Sequence, residues 1–263
     1  MLVRPTSFVT QPSLNPWAQT AYHHTMQRSS LEPPRLPTPD GTVQALRLLG
    51  RGKSGYSWHA TYQEGTRRGE EVILKAIHHE PNQYFHFGDK FEAEVHAYDT
   101  LQSLGVPVPA LHHVAYEEEI LIKEFVRGGT VSELLAASPE ALTPRMLESL
   151  ADSNERVPSA GLNIDYFPSN FVWNDDRLYY VDYEVVPYSD EWNFANWGVY
   201  YWANGRGMKA FLETGDHRFI NRDDNSGRPL TEGLDERVAE LLSWFADTGY
   251  STGHSPGAPT GTQ

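Results

Sequence analysis

The chain contains no cysteine, which rules out disulfides and leaves no thiolate to ligate a metal. It also lacks any apolar run approaching the ~20 residues of a membrane-spanning helix. No basic segment followed by an apolar one opens the chain, so no secretory signal is expected. These absences point to a soluble, cytoplasmic protein with no membrane partner. Positive charge is scarce too: 21 Lys and Arg stand against 35 Asp and Glu, a formal net charge of −14. A sequence-independent grip on nucleic acid needs cations facing the phosphates, so no nucleic-acid partner is expected. The acidity is enough to serve solubility, and it is compatible with a cationic substrate.

What is present is material for a core. Of 263 residues, 39% are hydrophobic, with 14 Tyr, 11 Phe and 7 Trp, enough for one large domain or two lobes. Residues 1–40 carry Pro5, Pro12, Pro16, Pro33, Pro34, Pro37 and Pro39 with no apolar period, and read as a mostly irregular tail. Residues 251–263, rich in Gly, Ser, Thr and Pro, read as a disordered one. Between them, Val43 to Leu49, Tyr56 to Tyr62 and Glu71 to Ile77 are short β-branched or aromatic runs that predict strands. Phe87 to Leu104 has the period of a helix, stopped by Gly105 and Pro107. A strand pair follows at His113 to Tyr116 and Ile120 to Phe125. Then come helices at Val131 to Ala137, Pro144 to Arg156, Asp190 to Gly205 and Gly233 to Thr248. The class is α+β: a strand-rich N-lobe over 41–126 with one helix, a mainly helical C-lobe over 127–250, and a cleft between them where small ligands commonly bind.

Three polar residues stand out in the second half. Asp165, Asn170 five residues on, and Asp182 after an apolar strand lie on two strand-like segments joined by a tight turn. That arrangement suits holding Mg²⁺ and positioning a hydroxyl beside a nucleotide phosphate. From Asp165 through Glu191 there are seven acidic residues and one basic residue, Arg177, so the mouth of such a site would attract cations.

In the first half, Gly50, Gly52 and Gly55 form a G-x-G-x-x-G between two strands. Glycines there let backbone N–H groups approach phosphates closely. No helix follows, which excludes the dinucleotide-binding fingerprint, and Arg47 stands where a P-loop ending in Gly52-Lys53-Ser54 requires its first glycine. Val72-Ile-Leu-Lys75 places a lysine in an apolar strand, where an unpaired ammonium is costly. The next helix offers Glu92 and Glu94. Glu94, three residues after Phe91 and four before Tyr98, shares their inward side.

Taken in order, Gly50, Gly52 and Gly55, Lys75, Glu94, Ile122-Lys-Glu-Phe-Val126, Asp165 to Asn170 and Asp182 resemble the protein-kinase-like superfamily. The Asp-Tyr-Glu at Asp182 is similar in style to aminoglycoside phosphotransferases and choline kinases. The resemblance implies the bilobal kinase-like fold, with ATP and Mg²⁺ as cofactors. It implies that Lys75, held by Glu94, binds the α- and β-phosphates, and that Glu124 and Val126 face the adenine through backbone groups. Asp165 becomes the catalytic base or hydroxyl-positioning group, and Asn170 and Asp182 the Mg²⁺ ligands.

The chain also departs from that pattern. Asn163 stands where the family usually has His, and Phe167 where Ser/Thr protein kinases place a phosphate-facing Lys. Asp190 looks like the buried carboxylate opening the central C-lobe helix, with only Tyr183 to Ser189 between it and Asp182. A peptide-docking activation loop has no room there. The expected function is therefore transfer of a phosphoryl group from ATP to the hydroxyl of a small molecule. An atypical protein kinase and a nucleotide-binding scaffold without turnover are the alternatives. The aromatics Trp192, Phe194, Trp197, Tyr200, Tyr201 and Trp202 read as helix packing, and the pairs His78-His79 and His112-His113 as surface residues.

Overall fold

The computed structural model describes residues 33–250 apart from 53, 80–88, 139, 175 and 224–226. The glycine-rich segment therefore lacks only Lys53. The tail before residue 33, the tail after residue 250 and the first residues of the expected 87–104 helix lie outside the described residues. Among the described residues the fold is α+β, with an antiparallel main sheet and six α-helices.

Strands β1 (Arg35–Thr38), β2 (Gly41–Arg51), β3 (Gly55–Tyr62), β4 (Glu71–Ile77), β5 (Leu111–Ala115) and β6 (Ile120–Glu124) form one sheet in the order β1-β2-β3-β4-β6-β5. Every pairing in it is antiparallel. Strand β1 corrects the reading of residues up to 40 as irregular. Leu36 is buried in the sheet core, and Pro37 is tolerated because β1 is an edge strand, where a missing N–H breaks no inner ladder. Gly65 and Gly69, both with positive φ, turn the chain between β3 and β4. Trp58, Tyr62, Val72, Leu74 and Ile122 form this core.

Helix α1 (Lys90–Ser103) begins at Asp89, whose carboxylate accepts from the N–H groups of Phe91 and Glu92. It buries Phe91, Glu94, Ala97, Tyr98 and Leu101 on one side. After the sheet, β7 (Gly129–Thr130) leads into α2 (Val131–Ala137), opened by a reciprocal cap between Thr130 and Glu133. Thr143 caps α3 (Pro144–Ser159), with Pro144 in the first turn, where its missing N–H is harmless.

The segment that holds the polar triad is built from short strands. Strand β8 (Leu162–Asn163) pairs with β11 (Val186–Pro187), and β9 (Phe171–Trp173) pairs with β10 (Leu178–Tyr180) and with β7. The expected single helix over Asp190 to Gly205 is broken instead. A 3₁₀ turn covers Asp190–Trp192, a π-turn covers Phe194–Gly198, and α4 (Val199–Ala203) follows. Asn193 O accepts from both Trp197 N and Gly198 N, which widens the turn.

The residue buried at the head of this helix is Asn193, not Asp190. Asn193 is fully buried and its Oδ1 accepts from Asn196 N at 2.8 Å, whereas Asp190 is exposed and accepts from Tyr188 Oη. An amide can occupy this cap because it satisfies both donor and acceptor needs without burying a charge. Helix α5 (Gly205–Thr214), which the sequence reading did not separate, and α6 (Asp235–Asp247) complete the fold.

A second core joins α2 to α6 and includes Phe171, Phe194, Trp202, Phe211 and Phe245. Most of the aromatic series packs inward as expected, but Trp192 stays exposed. No helix among the described residues is long and apolar enough to cross a membrane.

Gly198 meets Tyr166 with no space between: a Cβ at 198 would lie 2.6 Å from Tyr166 Cβ. Gly198→Ala is therefore expected to destabilise the fold by about 1–3 kcal/mol through overpacking. Urea unfolding measures this, and an unchanged midpoint would contradict it.

Candidate functional site

The Lys75 ammonium lies where the sheet, α1 and the segment after β10 meet. Strand β4 presents it in register with Ser57 and Leu121. Its Nζ is 2.7 Å from Glu94 Oε1, a charge contact, and donates to Asp182 Oδ1 at 3.0 Å. Burial alone would lower the Lys75 pKa. The attraction of Asp182 and Glu94 together outweighs it and raises the pKa above the ordinary lysine range. Lys75 is thus a permanent cation. Glu94 is buried with it, while the Asp182 side chain is 31% exposed. The helical phase that favoured Glu94 over Glu92 holds, since Glu92 is exposed.

Asp165 sits in a loop that ties itself together. Its Oδ1 accepts from Phe167 N at 3.0 Å, and Asn170 Nδ2 donates to Asp165 O at 3.2 Å. Asp165 N donates to Tyr180 Oη, and that hydroxyl in turn donates to Glu184 O. One buried phenol therefore joins the Asp165 loop to the segment just past Asp182. Val181 N donates to Asn170 O at 2.8 Å, bringing the backbones beside the two candidate metal ligands into contact. Below the loop, Trp202 Nε1 donates to Tyr166 O, and Phe167 packs edge-on against Tyr201. At position 167 an aromatic ring anchors the loop to α4.

The glycine hairpin lies over the same end of the sheet, because Gly55 pairs with Ile77, two residues beyond Lys75. Gly55 is packed: a Cβ there would meet Ala76 O at 2.6 Å. Gly50 and Gly52 are different. Neither has positive φ, and a Cβ at either would have room, so the fold itself does not demand glycine at these positions.

Glu124 and Val126 lie at the end of β6 and in the linker after it. The Glu124 carboxylate accepts from Ala110 N at 3.0 Å, and Val126 is half-buried. A separate groove lined by Asp190, Glu191, Trp192, Trp197, Arg222 and Arg228 includes none of the sequence-identified site residues.

Among the described residues no three His, Asp or Glu side chains cluster to hold a metal on their own. Mg²⁺ carried on phosphates needs only one or two carboxylates from the protein. Asp182 offers one such carboxylate and Asn170 an amide oxygen, and the hydrogen bond from Val181 N to Asn170 O joins their backbones. Comparison of the chain with protein families and with curated proteins finds no match.

Sequence reasoning passed over one residue, Lys123. It is buried, its Nζ donates to Val181 O at 2.9 Å, and it lies 3.9 Å from Glu94 Oε1. The signal was the same as for Lys75. Ile120-Leu-Ile-Lys123 repeats the pattern of Val72-Ile-Leu-Lys75, three apolar residues and a lysine on an inner strand.

Lys123 is pushed down to about 8, first by burial and then by the charge of Lys75, with Glu94 and Asp182 opposing. An unfolded lysine keeps its proton up to about 10.4. Between those values the unfolded chain binds more protons, so the Lys123 contribution to stability rises with pH there and is constant below. Wild type is expected to gain stability over Lys123→Met at up to about 1 kcal/mol per pH unit from about pH 8 to about pH 10. Urea unfolding across that range checks it, and a pH-independent difference would contradict it.

Proposed function

We propose that this chain is an ATP- and Mg²⁺-dependent phosphotransferase with a bilobal, protein-kinase-like architecture. The observation that carries the reading is the Lys75 ammonium held by Glu94 and Asp182, residues from three distant parts of the chain. A fixed, protonated lysine beside a part-exposed carboxylate suits the α- and β-phosphates of a nucleotide. The unforced glycines Gly50 and Gly52 are compatible with it, since no Cβ there stands between the hairpin and a phosphate, while the Gly52 N–H is itself engaged by Gly55 O at 2.8 Å.

In this reading Asn170 and Asp182 hold Mg²⁺, which when bound neutralises phosphate charge. Asp165, fixed by Phe167 N, Asn170 and Tyr180, orients the acceptor hydroxyl and takes its proton. Backbone groups of Glu124 and Val126 face the adenine. The acceptor is a small molecule. The short run from Asp182 to the 3₁₀ turn at Asp190, with Val186 and Pro187 in it engaged by β8, favours this over a protein acceptor. The acidic surroundings suit a cationic acceptor.

The test is the purified chain with Mg²⁺ and ATP. A Mg²⁺-dependent rise in melting temperature is expected, followed by labelled phosphate transfer to a member of an amino-alcohol, aminoglycoside and metabolite panel. Label on protein alone would move the acceptor to the protein class, and a shift without any transfer would leave a binding scaffold. Asp165→Ala should lower turnover by roughly 10² while preserving the thermal shift, because it removes positioning and proton transfer but no phosphate contact. Wild-type turnover in that variant would overturn its role.

A further inference from the structure

We propose that Lys123 is a positioning residue for Asp182, gripping from the sheet the carbonyl of the residue before that carboxylate and the ring of the residue after it; the proposal rests on the phosphotransferase reading. In the β4–β6 register Lys75 faces Leu121 and Ile73 faces Lys123. Paired residues share a face, and so do residues two apart on a strand, so the two lysines are diagonal neighbours on one face. Both ammoniums approach the same oxygen, Glu94 Oε1, at 2.7 Å for Lys75 and 3.9 Å for Lys123.

From there their roles divide. Lys75 reaches the Asp182 carboxylate itself. Lys123 reaches its two chain neighbours: Nζ donates to Val181 O at 2.9 Å and lies 4.1 Å from the centre of the Tyr183 ring. The rest of the segment is tied from other sides. Val181 N donates to Asn170 O, Tyr183 Oη donates to Pro109 O, and the Tyr183 ring packs on Tyr98.

An apolar side chain of similar length would fill this position without burying a second ammonium. What the ammonium adds is direction: a carbonyl acceptor before Asp182 and a π-face after it fix the strand on which the carboxylate rides. Below about pH 8, where the assays are run, it also adds positive charge beside the chain that carries Asp182. Removing it therefore has two opposed consequences. Asp182 loses positional restraint, which slows turnover, and loses a competing cation, which strengthens its hold on Mg²⁺. Loss of packing alone would not lower turnover and tighten metal binding together.

The test uses the full chain as wild type, Lys123→Met, Lys123→Gln and Lys123→Arg. The first readout is melting temperature as Mg²⁺ is titrated at fixed ATP; the second is turnover of ATP to ADP. Both neutral variants are expected to melt cooperatively, to reach half-maximal shift at several-fold less Mg²⁺, and to lose on the order of 10-fold or more in turnover. Lys123→Arg, which keeps charge and donors, is expected to return the Mg²⁺ half-point to that of wild type and to recover part of the turnover.

Turnover in the neutral variants within about two-fold of wild type, or an unchanged or raised Mg²⁺ half-point, would overturn the proposal. If Lys123→Met fails to fold, Lys123→Gln decides by the same readouts. A wild type that shows no Mg²⁺-dependent shift with ATP overturns the phosphotransferase reading and this proposal with it. A wild type that responds, with neutral variants that match it, overturns this proposal alone.

Discussion

The Lys75 ammonium, buried beside Glu94 and Asp182, is the contact on which the rest of the arrangement depends. An ammonium removed from water needs anionic partners close by, and breaking such a pair from one side costs about 3–5 kcal/mol because the other charge stays buried. Strand β4 cannot supply a partner from its own neighbours, since Ser57 and Leu121 flank Lys75 in the sheet. One carboxylate must come from α1 and the other from the segment after β10. That requirement fixes α1 against the sheet and brings the polar segment with Asp165, Asn170 and Asp182 to the same end of it.

Around this contact the molecule assigns rigidity unevenly. The Asp165 loop is held by its own Asn170, by the Tyr180 hydroxyl and by Trp202 beneath Tyr166. The aromatic core under it explains why so many rings are gathered in the helical half: Phe171, Phe194 and Trp202 give a close-packed floor to a loop that has few regular hydrogen bonds of its own. The glycine hairpin, by contrast, has room at Gly50 and Gly52.

Much of this was legible in the chain itself. The alternating runs gave β2, β3 and β4 to within a few residues, and the helical phase of Phe91, Tyr98 and Leu101 was enough to choose Glu94 over Glu92. Local patterns failed where the signal was shared by two meanings. Arg35–Thr38 carries a proline, so it read as tail, although Leu36 seals the sheet edge. The Asp190 carboxylate looked like a buried cap, whereas the burial belongs to Asn193, three residues on, because an amide meets donor and acceptor demands there without desolvating a charge. The aromatic run looked like one helix, but Asn193 O accepting from two N–H groups opens it into a π-turn.

The sequence by itself determined which residue types were costly to bury. A lysine at the end of an apolar strand must find an anion, and three ordered polar residues in an apolar hairpin are unlike ordinary core. Those inferences need only local periodicity and the energetics of a charge out of water. Only the tertiary structure decided who answers each demand. Lys75 and Lys123 follow the same apolar pattern, yet one takes two carboxylates while the other takes a carbonyl and an aromatic face. The difference lies in strand register and in the course of the chain past β10, which set partners far apart in sequence within hydrogen-bonding distance, and no local pattern encodes such a distance.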